Sequence, residues 1–295
     1  MKILVIGGNG FLGSHVYDQL SDIFKKNVYL LDSVTSRYKN KKNIIKGNIS
    51  DLNFLKRTIK GFDVVYHFAG LSDLDQAYKN PIETVKENIL GTVNILEACK
   101  INKVKKIIFA SSMYVAGNHG SFYRCSKSAS EEYIKEYKKR FNLDYVIIRY
   151  GSLYGPRSDT RNGLYKIIKE TLNKNQIKYY GDINSTREYI HVFDAAKASI
   201  EILDKKYKNK SINITGQQTI KIIDLLKIIK EIMSIKKPIK IIKKKNIGHY
   251  LRVPHNYEEN LSLKYMTNPY IDFGEGLTNL IKNISKKNKW IYFQK

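Results

Sequence analysis

The 295-residue chain is poor in cysteine, with only Cys99 and Cys125, and has no apolar run near the roughly 18 residues of a membrane helix. Two cysteines fit a reducing compartment and exclude a disulfide scaffold. The six histidines are scattered, and no Cys or His pair has zinc-ligand spacing, so no metal is assigned. The short apolar run after Lys2 meets Gly7-Gly8 too soon for the core of a signal peptide. A cytoplasmic protein without a transmembrane segment is expected.

Acidic residues and arginine are also scarce. Asp and Glu number 27 against 52 Lys and Arg, a net charge of +25, yet only nine of the basic residues are Arg. The lysines run along the whole chain, with short clusters at Lys39 to Lys42, Lys138 to Arg140, Lys205 to Lys210, Lys236 to Lys245 and Lys286 to Lys289. Base-edge and phosphate recognition favours the forked guanidinium, so a diffuse lysine excess reads as solvated surface. No specific nucleic-acid partner is expected, although an anionic substrate would benefit from the field.

A hydrophobic fraction of 42% and an aromatic fraction of 12% supply a sizeable core and exclude disorder. In the first half, β-branched apolar runs occur at Ile3–Ile6, Val28–Leu31, Ile44–Ile45, Val64–Phe68, Ile107–Ala110 and Val146–Ile148. Helical patterns alternate with them, such as Leu12, Val16, Leu20 and Ile23, or Val85, Ile89, Val93 and Leu96. Continuous apolar strands joined by helices predict an α/β fold with a doubly wound parallel (Rossmann) sheet of six strands. After Tyr150 the alternation loosens into Lys-rich helical segments, which predict a smaller C-terminal lobe for substrate. The expected division is 1–155, with a returning segment near 187–215, against 156–295.

Gly7-Gly8-Asn9-Gly10-Phe11-Leu12-Gly13 follows the first strand and opens the first helix. A diphosphate needs close backbone approach, free N–H groups and the positive end of a helix. Gly7 allows the tight turn, Gly10 the approach, and Gly13 the helix–strand packing. Asp32 ends the second strand nineteen residues after Gly13, where a carboxylate would hold a ribose 2′-hydroxyl and repel a 2′-phosphate. NAD is therefore the expected cofactor, although Arg37 stands nearby.

Tyr123 and Lys127 lie one helical turn apart. An ammonium beside a phenol stabilises phenolate, and Ser112 at the end of the fifth strand is placed to orient a substrate alcohol. Together they would take a hydroxyl proton while NAD accepts the carbon-bound hydride. Cys125 is read as packing, and Asp194 as a helix cap.

With these residues in view, the sequence resembles the extended short-chain dehydrogenases/reductases, specifically the NAD-dependent nucleotide-sugar epimerase/dehydratase family. The matching pieces are Gly7 through His15, His67 through Leu71, Asn88 through Asn94, Ser111-Ser112, Tyr123 with Lys127, Arg149 through Arg157 and Arg187 through Val192. The resemblance implies that Phe68, Ala69 and Gly70 line the cofactor, that Asn88 supports the active-site end, and that Tyr123 and Lys127 also hold the nicotinamide ribose. It places Asn48 and Ile49 at the adenine, where an amide oxygen stands for the family's carboxylate, and Tyr150 at the cofactor. It assigns Ser72, Tyr114, Ser152 and Arg187 to the sugar nucleotide, with Arg187 on its phosphates.

Family dehydratases carry Asp-Glu after the catalytic hydroxyl residue. This chain has Met113 and Tyr114, which supply no acid and disfavour dehydration. Tyr123 follows Ser112 by only eleven positions, a shorter connection than relatives have, so the sugar pocket is wider or another element closes it. The reaction implied is 4-epimerisation of a nucleotide-diphosphate sugar, with 4-dehydrogenation or 4-keto reduction as the alternatives. A non-catalytic NAD- or nucleic-acid-binding protein on the same fold is more distant. The resemblance further implies a homodimer through helices near 82–100 and 124–140, and a role in polysaccharide synthesis.

Overall fold

The computed structural model describes residues 1–38, 43–242, 249, 251–253 and 263–292, with side chains as far as 286. The lysine cluster at 39–42 and the end of the cluster at 236–245 lie outside the described residues, and in the cluster at 286–289 only Lys286 has a described side chain. In chain order the main elements are β1 (Ile3–Ile6), α1 (Phe11–Phe24), β2 (Val28–Asp32), β3 (Ile44–Lys46), α2 (Leu52–Thr58), β4 (Val64–His67) and α3 (Leu74–Lys79). Then come α4 (Pro81–Thr84), a π-helical stretch Val85–Leu90, α5 (Gly91–Ile101), β5 (Lys106–Ser112), α6 (Ser121–Phe141) and β6 (Asp144–Tyr150). The second half contains β7 (Ser152–Tyr154), α7 (Gly163–Lys174), β8 (Lys178–Tyr180), β9 (Thr186–His191), α8 (Val192–Glu201) and β10 (Lys210–Ile214). It ends with β11 (Thr219–Lys221), α9 (Ile222–Ile232), β12 (Lys240–Ile242), β13 (Leu263–Lys264) and α10 (Phe273–Tyr292).

The large sheet is parallel, in the order β13-β10-β6-β5-β4-β1-β2-β3. It has eight strands where six were expected. β10 alternates polar and apolar residues behind a run of lysines, and β13 is two residues long, so neither shows as an apolar run. Strand alternation splits the side chains between two cores. Val5, Leu30, Tyr66, Ile108 and Ile148 meet Val16 and Leu20 of α1 and Ala195 and Ala198 of α8. Leu4, Leu31, Val65, Phe109 and Ile147 meet Leu55, Ile95, Leu96 and Ile134 on the opposite helices. Burial on both faces is why these strands read as unbroken apolar runs.

A third core, around Tyr154, Ile168, Leu226 and Leu280, joins α7, α9 and α10 under a small sheet in the order β11-β9-β7. The strands β8 and β12 form a separate parallel pair.

Two helical faces differ from expectation. Ile23 is exposed, and so is Val85. The buried line through the latter region runs instead over Asn88, Thr92, Ile95, Leu96 and Cys99. The π-helical stretch carries one extra residue per turn, and a 3.6-residue period counted across it slips.

Candidate active site

The glycine turn is built for close approach. Gly7 has φ +81°, and a Cβ there would lie 2.4 Å from the Ala69 amide nitrogen; one on Gly13 would lie 2.3 Å from the Gly7 carbonyl oxygen. No side chain caps the start of α1, which leaves the first-turn N–H groups to an anion. Asp32 draws the end of β2 against this turn, accepting from Asn9 N at 2.9 Å and from Val34 N at 3.1 Å. Gly70, at φ +130°, lies so close to Asn88 that a Cβ would stand 2.6 Å from the amide oxygen. Such a cradle fits a dinucleotide, with Phe11 and Phe68 half-buried at its edges.

Other expected contacts are placed differently. Leu12 and Ile49 send their side chains into the cores, and Asn94 donates to the Ile49 carbonyl at 3.0 Å. They offer main chain only. The Asn48 amide oxygen accepts from Ser50 N at 3.0 Å, leaving one lone pair for an adenine amine. Tyr150 is a correction. It shares a face of β6 with Val146 and Ile148, so its ring enters the core and its hydroxyl pairs with Ser199 Oγ at 2.6 Å.

Ser112, Tyr123 and Lys127 are brought together. β5 ends at Ser112, and α6 buries Tyr123, Lys127 and Glu131 on successive turns of one face. The Ser112 and Tyr123 hydroxyls interact. Lys127 Nζ donates to the Ala110 carbonyl at 2.9 Å and lies 6.0 Å from the centre of the Tyr123 ring.

The expected lowering of the phenol's pKa needs correction. Burial pushes Tyr123 up to about 12, with the Ser112 hydrogen bond working against it. Burial also pushes Lys127 down to about 8, opposed by the Glu131 carboxylate.

The helix is fixed by Glu131, not singled out as functional in the sequence, and by Asn88, which was. Glu131 is fully buried, accepts from Ser111 Oγ at 2.5 Å and pairs with Arg149 in two hydrogen bonds of 3.0 and 2.7 Å. Its spacing from Tyr123 and Lys127, four residues each time, is the signal that was there to be read. Asn88, turned by the π-helical stretch, accepts from Leu71 N at 2.7 Å and donates to Ser126 Oγ at 2.9 Å. Below the site His67 contacts Thr92 Oγ1 at 2.9 Å, its Nδ1 buried without a partner among the described residues and its pKa lowered by burial to about 3.

Among the residues expected at the sugar nucleotide, Tyr114 meets Tyr123 edge to face at 6.3 Å, and its hydroxyl lies 3.2 Å from His249 Nδ1. Arg187 lies on β9, donates to the Thr186 carbonyl at 2.7 Å, and is close enough to influence both Tyr179 and His249. Ser152 pairs with Tyr189 across β7 and β9, and Ser72 is exposed between Leu71 and Asp73. Exposed Arg252 follows Leu251, whose carbonyl accepts from Thr186 N at 2.8 Å, and so sits beside the start of β9.

Two minor readings are corrected. Cys125 is exposed and does not pack. The cap of α8 is His191, which accepts from Phe193 N at 3.3 Å, while Asp194 lies inside the first turn and accepts from Ile271 N at 2.9 Å. Among the described residues no group of three or more His, Cys, Asp or Glu is placed to hold a metal ion, and no helix is long and apolar enough to cross a membrane.

The model of the NAD dependent epimerase/dehydratase family matches residues 3–215. The chain belongs to this family. This extended short-chain dehydrogenase/reductase is an enzyme, and NAD is its cofactor. It is 33% identical over 97% of its length, and 99% of the other chain, to a Methanocaldococcus jannaschii protein provisionally named UDP-glucose 4-epimerase. Its fold is similar to that of the UDP-glucose 4-epimerase of Thermotoga maritima, solved with UDP-glucose, at a TM-score of 0.83 and 25% identity over 98% of this chain and 100% of that one. A Methanobrevibacter ruminantium UDP-N-acetylglucosamine 4-epimerase, in complex with UDP-N-acetylmuramic acid, gives 0.82 and 28%, covering 97% of this chain and 98% of that one.

Proposed function

We propose that this enzyme is a nucleotide-sugar 4-epimerase in which Tyr123 takes the proton of the sugar C4 hydroxyl. The observation that carries the reading is the meeting of Ser112, Tyr123 and Lys127 at the end of β5, beside a turn shaped for a dinucleotide. Bound NAD supplies the hydride acceptor and, when oxidised, a positive charge that favours the Tyr123 phenolate against burial. Ser112 holds and polarises the hydroxyl. Lys127, kept near Tyr123 by the Ala110 carbonyl, adds a second cation and binds ribose. Met113 and Tyr114 carry no acid at the position where one would protonate a leaving hydroxyl, which disfavours dehydration.

Gly7, Asn9, Gly10, Gly13, Asp32 and Phe68 through Gly70 hold the cofactor. Ser72, Tyr114, Ser152 and Arg187 face the nucleotide sugar, with Arg187 on its diphosphate. Residues 1–155 with the returning segment near 187–215 form the cofactor side, and the remainder the sugar side. A homodimer fits the same reading, because Ile82, Val85 and Leu90 beside the helices, and Phe122 and Tyr133 on α6, are large apolar side chains left exposed.

The test is interconversion of UDP-glucose and UDP-galactose by the purified enzyme, together with Tyr123→Phe. The variant is expected to keep NAD and lose turnover. Interconversion by Tyr123→Phe at the wild-type rate would remove Tyr123 from the mechanism.

A further inference from the structure

The connection from β5 to α6 is short, yet the space beside Tyr123 is not left open. Tyr114 fills it. The ring fits there because Gly120 has no side chain: a Cβ on Gly120, whose φ is +108°, would stand 2.8 Å from Tyr114 Cδ1. On its other side the ring meets Tyr123, and its backbone N–H reaches toward Ser112 Oγ at 3.4 Å. The Tyr114 hydroxyl then meets His249 Nδ1 at 3.2 Å, 135 residues further along the chain.

His249 belongs to a segment anchored on the sugar side. Thr186 N donates to the Leu251 carbonyl at 2.8 Å, and Val253 N to Thr186 Oγ1 at 3.1 Å. Arg187, the next residue on β9, is near enough to act on His249 electrostatically, as are Asp73 and Asp75 at the start of α3. A hydrogen-bonded pair thus links the surroundings of Tyr123 to those of Arg187. In a nucleotide-diphosphate sugar the hexose joins the diphosphate to the reacting hydroxyl, so it must lie along this same span.

We propose that Tyr114 and His249 together are specificity-determining residues that form the wall of the hexose pocket, admitting a sugar with hydroxyl substituents and excluding the bulk of an acetamido group. The inference rests on the 4-epimerase reading and names the sugar class for it. A half-buried imidazole and a phenol bonded to each other offer one hydroxyl-sized group either a donor or an acceptor. Neither yields space to a larger substituent without breaking their bond.

The experiment compares kcat and KM for UDP-glucose and UDP-N-acetylglucosamine in the full-length, NAD-loaded wild type, His249→Ala and Tyr114→Phe. Wild type is expected to prefer UDP-glucose. His249→Ala should raise the relative kcat/KM for the N-acetyl sugar by about tenfold or more, the scale on which pocket contacts discriminate. Tyr114→Phe keeps the ring and loses the bond, and should move the ratio the same way by less, mostly through KM. A general structural defect would lower both substrates together. Turnover with a ratio unmoved in both variants overturns the pair's role alone. A wild type that binds NAD but turns over neither sugar overturns the 4-epimerase reading and the pair with it.

Discussion

The proposed cofactor side and the proposed sugar side of this molecule are specified in different ways. Around the glycine turn the contacts come from main chain: Gly7, Gly13 and Gly70 matter for the absence of a Cβ, the first two between β1 and α1 and the third just after β4. Around the proposed hexose pocket the residues that meet are side chains on segments far apart in sequence, Tyr114, Arg187 and His249 among them. The first kind of site tolerates almost no local change. The second can be retuned one side chain at a time.

The sharpest test of the contrast is at their junction. Tyr123→Phe should cost about 10²–10⁴ in kcat, the range for a general base, with NAD binding retained by fluorescence titration. Next, Glu131→Ala removes the fully buried carboxylate that ties Ser111 and Arg149 to α6 and should lower stability by about 3–5 kcal/mol, read from urea unfolding. Gly7→Ala puts a methyl group against Ala69 N and holds a positive φ, so a loss of about 1–3 kcal/mol and weakened NAD binding are expected by calorimetry. On the other side, Arg187→Met should raise the KM for the nucleotide sugar by about tenfold through the loss of a charge-assisted contact, with NAD affinity unmoved. Equal losses of NAD and sugar affinity in both of these variants would break the comparison.

The smallest effect concerns acid. His67, His15 and His191 are held below the ordinary imidazole value, to about 3, 4 and 4, in each case mainly by burial. Between those values and about 6.5 the unfolded chain binds protons that the folded chain refuses, so stability falls as pH falls through that window. His67→Gln should flatten the slope by up to one proton, roughly 1.4 kcal/mol per pH unit, measured as unfolding free energy from pH 6.5 to 4.5.

What the sequence revealed follows the same division. The parallel sheet, the glycine turn, Asp32 and the Tyr123–Lys127 spacing were legible because each is a local pattern with one backbone solution. The strands β10 and β13 were not, since pairing with a neighbour, and not composition, makes them strands. Val85 misled because the π-helical stretch breaks the period, and Tyr150 because strand alternation sends it inward. The phenol's pKa was judged from one neighbouring ammonium, whereas burial of both groups outweighs that attraction. His249 carries no local signal, and only the folded chain brings it to Tyr114.

The path of the chain between its layers has a consequence for how such enzymes diversify. After β6 it leaves the large sheet, returns with α8 and β10, leaves again, returns at β13 and departs into α10. A fragment cut at residue 155 would lack α8, β10 and β13, and would bare the apolar face of α1. The second layer is woven in, not appended, so recombination at a single junction cannot exchange it.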